Sequence, residues 1–184
     1  FTREGMKQLI GLNRPAAIEK FPQLFPGCPE SGEACLQRYR AWMDDYIREN
    51  GVPVKPGLRE LLAWLKQAHI LCAVATSTFT NVAIGYLKNA GVLNCFAAIV
   101  GGDQVTKSKP DPEIFQIAMR ALGKQTPETC VVFEDSRNGL LAGANGGFPV
   151  IVVPDLFDPT LELPGLCYAK CARLDEAIDV IQNS

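Results

Sequence analysis

Apolar and polar positions along this chain switch repeatedly between two periods. Over residues 57–67 the apolar positions 58, 61, 62 and 65 recur at helical spacing. Residues 70–75 follow as a continuous apolar run of strand length. Residues 82–90 return to the helical pattern, with Gly91 as its stop. A second strand is predicted over 96–100. Asp111-Pro112 places an N-cap before a proline at the first helical position, which predicts a helix to about residue 122. A third strand over 130–133 leads to a helix capped by Ser136 and ended by Gly146-Gly147. A fourth strand over 149–153 and a closing helix over 174–181 complete the pattern.

Continuous apolar strands alternating with helices imply a parallel sheet covered on both faces. The expected fold class is therefore α/β, a Rossmann-like three-layer sandwich over residues 57–184. Residues 33–49 read as one long helix and residues 1–21 as one or two shorter ones, so residues 1–50 form an all-helical lobe. The Pro- and Gly-rich stretch from residue 51 is the linker, with a hinge over 51–56. There is no internal repeat and no low-complexity tract.

Composition narrows the function classes. A chain of 184 residues, 47% hydrophobic, can bury a full core. With a net charge of −2 and no basic stripe, no nucleic-acid partner is expected. No apolar run approaches the roughly 20 residues needed to cross a bilayer. Residues 1–5 show no charged or apolar leader pattern, so no signal peptide is expected. A cytoplasmic monomer is expected. Seven cysteines, several inside apolar runs such as Leu71-Cys72-Ala73-Val74, read as buried reduced thiols. Cys167 and Cys171 supply half a zinc site without the other half. His69 is the single histidine and reads as a turn residue, so any catalysis falls to carboxylates, lysine and hydroxyls.

Ligands of an open parallel sheet bind beyond the carboxyl ends of its strands. Thr76-Ser77-Thr78 follows the first strand, Lys107-Ser108-Lys109-Pro110-Asp111-Pro112 comes after the second, and Glu134-Asp135-Ser136 follows the third. Taken singly, the hydroxyls can be a helix cap, the lysine a solvated loop residue and the acids a surface pair. Together, in order on one edge, they suit phosphate held with a hard cation. Mg²⁺ takes oxygen ligands, often one or two carboxylates with water and phosphate oxygens. Thr76 and the Ser77 N–H can donate to phosphate, and Lys109 supplies a point charge.

At these residues the chain resembles the haloacid dehalogenase-like hydrolase superfamily, in its branch with a helical cap after the first strand. Ala73-Val74-Ala75-Thr76-Ser77-Thr78 resembles the family's phosphate-binding Ser/Thr motif. Ser108-Lys109-Pro110-Asp111-Pro112 resembles its lysine loop, and Val131-Val132-Phe133-Glu134-Asp135-Ser136 its Mg²⁺-binding acids. The resemblance implies a partial cap over residues 1–50 and assigns Thr76, Ser77 and Lys109 to phosphate, Thr76 and Lys109 to catalysis, and Glu134 and Asp135 to Mg²⁺. It also implies an Asp-x-Asp motif on a first, central strand, whose leading Asp becomes aspartyl-phosphate. That motif is absent from these 184 residues. The family's strand order puts it between the strand ending at Ala75 and the one ending at Phe133, which would otherwise face a gap with apolar edges.

Three functions are compatible with this reading. The first is Mg²⁺-dependent hydrolysis of a small phosphorylated metabolite by the protein that carries the nucleophile, the chain alone being inactive. The second is a sugar phosphomutase similar to β-phosphoglucomutase, for which Gly11-Leu12-Asn13-Arg14 resembles the cap stretch that binds a second phosphate. The third is a catalytically inactive binding module. In the helical lobe Arg14, Lys7, Trp42 and Tyr46 either choose the substrate or, for the aromatics, pack the lobe's own core. No GxGxxG supports a dinucleotide site.

Overall fold

The structure, a computed structural model, describes residues 2–183. Three helices come first: α1 (Arg3–Leu9), α2 (Arg14–Leu24) and α3 (Gly32–Asn50). Each begins on a side-chain cap that the sequence reading did not mark. Thr2, Asn13 and Ser31 accept from the backbone N–H three residues on, at 3.1, 3.1 and 3.2 Å. The alternating part then runs α4 (Leu58–Gln67), β1 (Ala73–Ala75), α5 (Thr80–Asn89), β2 (Ala98–Val100), α6 (Glu113–Ala121), β3 (Val132–Glu134), α7 (Arg137–Asn145), β4 (Val150–Val152), β5 (Ala169–Lys170) and α8 (Ala177–Gln182). His69 occupies a positive-φ turn after α4 (φ 55°), the turn role read from the sequence.

Every strand pair is parallel, and β4 shows why both faces are covered. Side chains alternate across a strand. Val150 and Val152 enter a cluster with Ile114, Phe115, Met119 and Leu140, beneath α6 and α7. Ile151 and Val153 enter the opposite cluster with Leu61, Leu65, Leu174 and Ala177, from α4, α8 and the approach to α8. Ile151 is 0% exposed; burial of such a side chain contributes about 1.5–3 kcal/mol. This is the three-layer arrangement expected from the continuous apolar runs.

The strands do not form one ladder. β1 pairs with β2, and β3 with β4 and β5, as two separate sheets. Among the described residues no strand lies between β1 and β3. The unpaired position explains a difference from the predicted pattern. The run 70–75 was expected to be strand throughout, yet β1 begins only at Ala73, and Ile70 and Leu71 stay exposed. On the far side of the gap Val131 is also exposed.

Three further expectations need correction. The helix expected from Asp111-Pro112 starts at Glu113, with Pro112 as the flanking residue and the Asp111 carboxylate accepting from the Glu113 N–H at 3.0 Å. β5 was not anticipated, because two residues at a polar site leave no period to detect. The cysteines are not a buried set: Cys171 alone is buried, Cys95 is exposed, and the other five are half-buried. Cys72 lies just before β1 and packs only partly against the Ile151 cluster.

Candidate active site

The carboxyl ends of β1 and β3 open into a cavity of about 1010 Å³ roofed by α1–α3. Its lining includes six of the residues singled out from the sequence: Arg14, Thr76, Ser77, Lys109, Glu134 and Asp135. They come from four places in the chain, and parallel topology brings all but Arg14 together because every strand ends on the same edge.

Lys109 occupies the floor. The loop carrying it is held by Glu113, whose carboxylate accepts from the Thr106 N–H at 3.1 Å and the Lys107 N–H at 2.7 Å. Those donors hold Glu113 below its ordinary pKa. The Lys109–Pro110 peptide is cis. The lysine is 6% exposed. Its Nζ donates to Glu134 Oε1 at 2.5 Å and to the Ala75 carbonyl at 3.4 Å, and lies 4.7 Å from the Phe115 ring centroid. One ammonium group thus bridges the end of β1 to the end of β3 across the gap between the sheets.

Glu134 is fully engaged. Besides Lys109, it accepts from the Ser136 hydroxyl at 3.0 Å and the Asp135 N–H at 3.2 Å. Ser136 in turn caps α7 by accepting from Gly139 N at 3.0 Å. Gly139 is required by this packing, since a Cβ there would stand 2.0 Å from the Glu134 carboxyl carbon. The two adjacent acids therefore have different surroundings. Asp135 keeps 39% of its side chain exposed and faces the cavity, 3.7 Å from Lys55 Nζ. Burial, then the neighbouring Glu134 charge, pushes the Asp135 pKa up, and Lys55 opposes them.

A hard cation fits this donor set in part. Asp135 presents carboxylate oxygens to the cavity, and the like charge of Glu134 is a standing reason to bind a cation. No group of three or more His, Cys, Asp or Glu is assembled for a metal among the described residues. An ion there would draw its other oxygens from substrate and water, as Mg²⁺ commonly does. Among the described residues, no His, Cys, Asp or Glu group joins Cys167 and Cys171 to complete the half zinc site.

The hydroxyl cluster divides its work. Thr76 Oγ1 accepts from the Thr78 N–H at 3.2 Å at the mouth of β1. The Ser77 hydroxyl donates to the Gly11 carbonyl at 2.7 Å, so it fastens the helical segment to the strand end. Gly11 adopts a positive φ of 84°, and a Cβ there would meet Ser136 Oγ at 2.6 Å. Two more bonds hold the same seam: Asn13 N–H to Ser108 Oγ at 2.9 Å and Asn138 Nδ2 to the Ile10 carbonyl at 2.9 Å. Arg14 lines the cavity but is paired with Glu33 at 2.9 Å. Trp42 lines it too, whereas Lys7 and Tyr46 are not part of its wall. Lys7 pairs instead with Glu4 and Glu162. Asp44 and Asp45 pair with Arg40 and Arg48 on the exposed face of α3.

Lys55 was missed. It reaches the Val153 and Pro154 carbonyls at 3.2 and 3.3 Å and stands 3.6 Å from Asp155. In sequence it is a lone lysine between two prolines, with no spacing to mark it.

The comparisons with known proteins agree with this geometry. A haloacid dehalogenase-like hydrolase family profile matches residues 2–147. The chain belongs to that family. It is 41% identical, over 103 residues, to a phosphorylated carbohydrates phosphatase of Thermotoga maritima, a match covering 56% of this chain and 45% of that protein. Among solved structures it superposes with a TM-score of 0.75 and 27% identity on CbbY from Rhodobacter sphaeroides in complex with xylulose-(1,5)bisphosphate, covering 96% of this chain and 80% of the other. A β-phosphoglucomutase from Thermotoga maritima, so described provisionally, gives 0.70 and 27%, covering 100% and 84%. The chain spans about half the length of most of the curated relatives it matches. No described helix is long and apolar enough to cross a membrane.

Proposed function

We propose that this chain forms the phosphate- and metal-binding part of a phosphatase acting on a small phosphate monoester. The observation that carries the reading is Lys109, a buried ammonium group fixed at the cavity floor between the ends of β1 and β3. A buried cation is costly unless it has anionic partners. A phosphoryl group entering from the cavity would be its second.

In this reading, Lys109 and the Thr76 hydroxyl bind the phosphoryl oxygens with the Ser77 N–H, and Mg²⁺ would be held by Asp135 directly, with the Glu134 charge beside it adding to the attraction. The ion supplies charge neutralisation on the phosphoryl oxygens. Lys109 would add its charge to the same oxygens as the phosphoryl group transfers, at little cost in reorganisation because Glu134 has already placed it. The nucleophile is a carboxylate on a strand seated between β1 and β3, as the family resemblance implies; these 184 residues do not supply it and are inactive by themselves. The helical segment over residues 1–50 acts as the cap, hinged at 51–56, and excludes water from the site. The protein works as a cytoplasmic monomer.

A phosphomutase similar to β-phosphoglucomutase is the second reading. The presence of Arg14 in the cavity wall favours it, since a cap arginine could hold a second phosphate. Its pairing with Glu33 counts against it.

The test uses a protein that carries the upstream strand, assayed on phosphorylated sugars with Mg²⁺. Asp135→Asn is expected to lower Mg²⁺ affinity and turnover together. Lys109→Ala should raise the barrier by about 3–4 kcal/mol, the scale of losing one electrostatic stabiliser. Unchanged Mg²⁺ dependence in Asp135→Asn would refute the metal assignment. A requirement for a sugar bisphosphate would move the protein to the mutase reading.

A further inference from the structure

The helical segment also carries two cysteines whose sulfurs face each other. Cys28 lies in the turn that leaves α2 and Cys35 in the first turns of α3. Their Sγ atoms are 4.0 Å apart. The local backbone produces the approach. The Cys28 N–H closes a turn onto the Phe25 carbonyl at 3.0 Å. Ser31 caps α3, and the Cys35 N–H continues the helix onto the Ser31 carbonyl at 3.1 Å. Pro26 and Pro29 flank the cysteine and limit how the turn can move. Both thiols are half-buried, so a small reagent can reach them.

A disulfide needs its sulfurs at about 2.05 Å and Cβ atoms at about 3.5–4.5 Å. The sulfurs stand 4.0 Å apart, which leaves about 2 Å to close, and rotation about the Cα–Cβ bonds moves each of them. The loop to be closed is short and already ordered, so little chain entropy opposes closure. Other thiols of the chain are placed differently: Cys72 Sγ contacts the Ile70 carbonyl and Cys130 Sγ the Thr129 hydroxyl.

We propose that Cys28 and Cys35 form a dithiol site that closes to an internal disulfide on reaction with a low-molecular-weight disulfide. One cysteine thiolate attacks the reagent's S–S bond and expels a thiolate, leaving a mixed disulfide. The second cysteine attacks the protein sulfur of that mixed disulfide and expels the other half of the reagent. Two protein S–H bonds are lost and one S–S bond forms; the reagent's S–S bond is reduced to two thiols, which carry away the two protons. The closed form ties the start of α3 to the turn before it. Cys35 is in the cavity wall, so the bond reshapes that wall without touching Lys109 or Asp135. Burial, then the neighbouring Cys28, raises the Cys35 thiol pKa, so closure should quicken as pH rises. None of this depends on the phosphatase reading.

The test is made on the full, reduced chain. It is incubated with oxidised glutathione under native conditions, quenched in acid, alkylated and weighed. The expected product has five alkylated cysteines of its seven, no glutathione adduct, and a mass about 2 Da below the corresponding unbridged species. No Lys or Arg lies between Cys28 and Cys35, but Glu30 and Glu33 do. A glutamate-specific protease therefore separates the two cysteines, and the fragments should remain joined until reduced. Seven alkylated thiols, or a persistent glutathione adduct on Cys28 or Cys35, would overturn the proposal. Cys28→Ser should form no internal bridge; a bridge from Cys35 to another cysteine in that variant would overturn the pairing.

Discussion

Replacing Lys109 with methionine removes the charge while keeping an apolar stem over the Phe115 ring. Glu134 would then be a nearly buried carboxylate, its side chain 8% exposed, without its cation. At 2.5 Å the gross Coulomb attraction is about 7 kcal/mol at an effective dielectric of 20. Part of that offsets the desolvation of the two groups, and breaking one side of a buried pair costs about 3–5 kcal/mol. Glu134 keeps the Ser136 hydroxyl and the Asp135 N–H, which places the expected loss near about 3 kcal/mol, the lower end of that range. With a urea dependence of about 2 kcal/mol/M, the unfolding midpoint should fall by about 1.5 M. The double variant Lys109→Met with Glu134→Gln has no stranded charge, and should recover about 2 kcal/mol of the loss. Urea unfolding followed by circular dichroism reads both. A loss under about 1 kcal/mol in the single variant, or a double variant no more stable than the single, would refute the claim that this pair locks the two sheets together.

Gly139→Ala places a Cβ against the Glu134 carboxylate, which Lys109 holds in position, so it should cost about 1–3 kcal/mol in the same unfolding measurement. Glu113→Gln tests pH linkage. Its carboxyl pKa is held below the ordinary 4.5, so its stabilising effect is present above that value and lost as pH falls through the lowered one. The variant should be less stable than wild type at pH 7, and the difference should shrink in acid, as read from urea midpoints across that range. Asp135 has the opposite sign. Its pKa is raised, so the native state loses stability as pH climbs from the ordinary 3.8 through the raised value. Asp135→Asn should therefore be more stable than wild type at neutral pH without metal, with the gain vanishing in acid, while Mg²⁺ binding measured by calorimetry weakens.

Much of this was legible in the linear sequence. β1, β2 and β4 fall inside the predicted runs, β3 overruns its own by one residue, and Ser136 is the helix cap read from the sequence. The order of Thr76, Lys109 and Glu134-Asp135 at successive strand ends pointed to one edge, and parallel topology delivers them there. What could not be read lies in partnerships between distant residues. Ser77 binding Gly11, Lys55 facing Asp135 and Asp155, and Lys109 choosing Glu134 leave no period and no motif.

Local physics acts over a few residues, and that is the range at which the sequence by itself determined this protein: where helices start, which runs become strands, and which side chains occupy strand ends. Apolar period and capping chemistry carry that information because their energies depend on near neighbours. Only the tertiary structure decided how the acidic pair divides. Glu134 is consumed by Lys109, 25 residues away, and Asp135 is left facing the cavity. It also decided that β1 and β3 stand in separate sheets, leaving Ile70, Leu71 and Val131 exposed although their sequence reads as core. Burial depends on what lies on both sides of a strand, and a strand's own residues do not encode its neighbour.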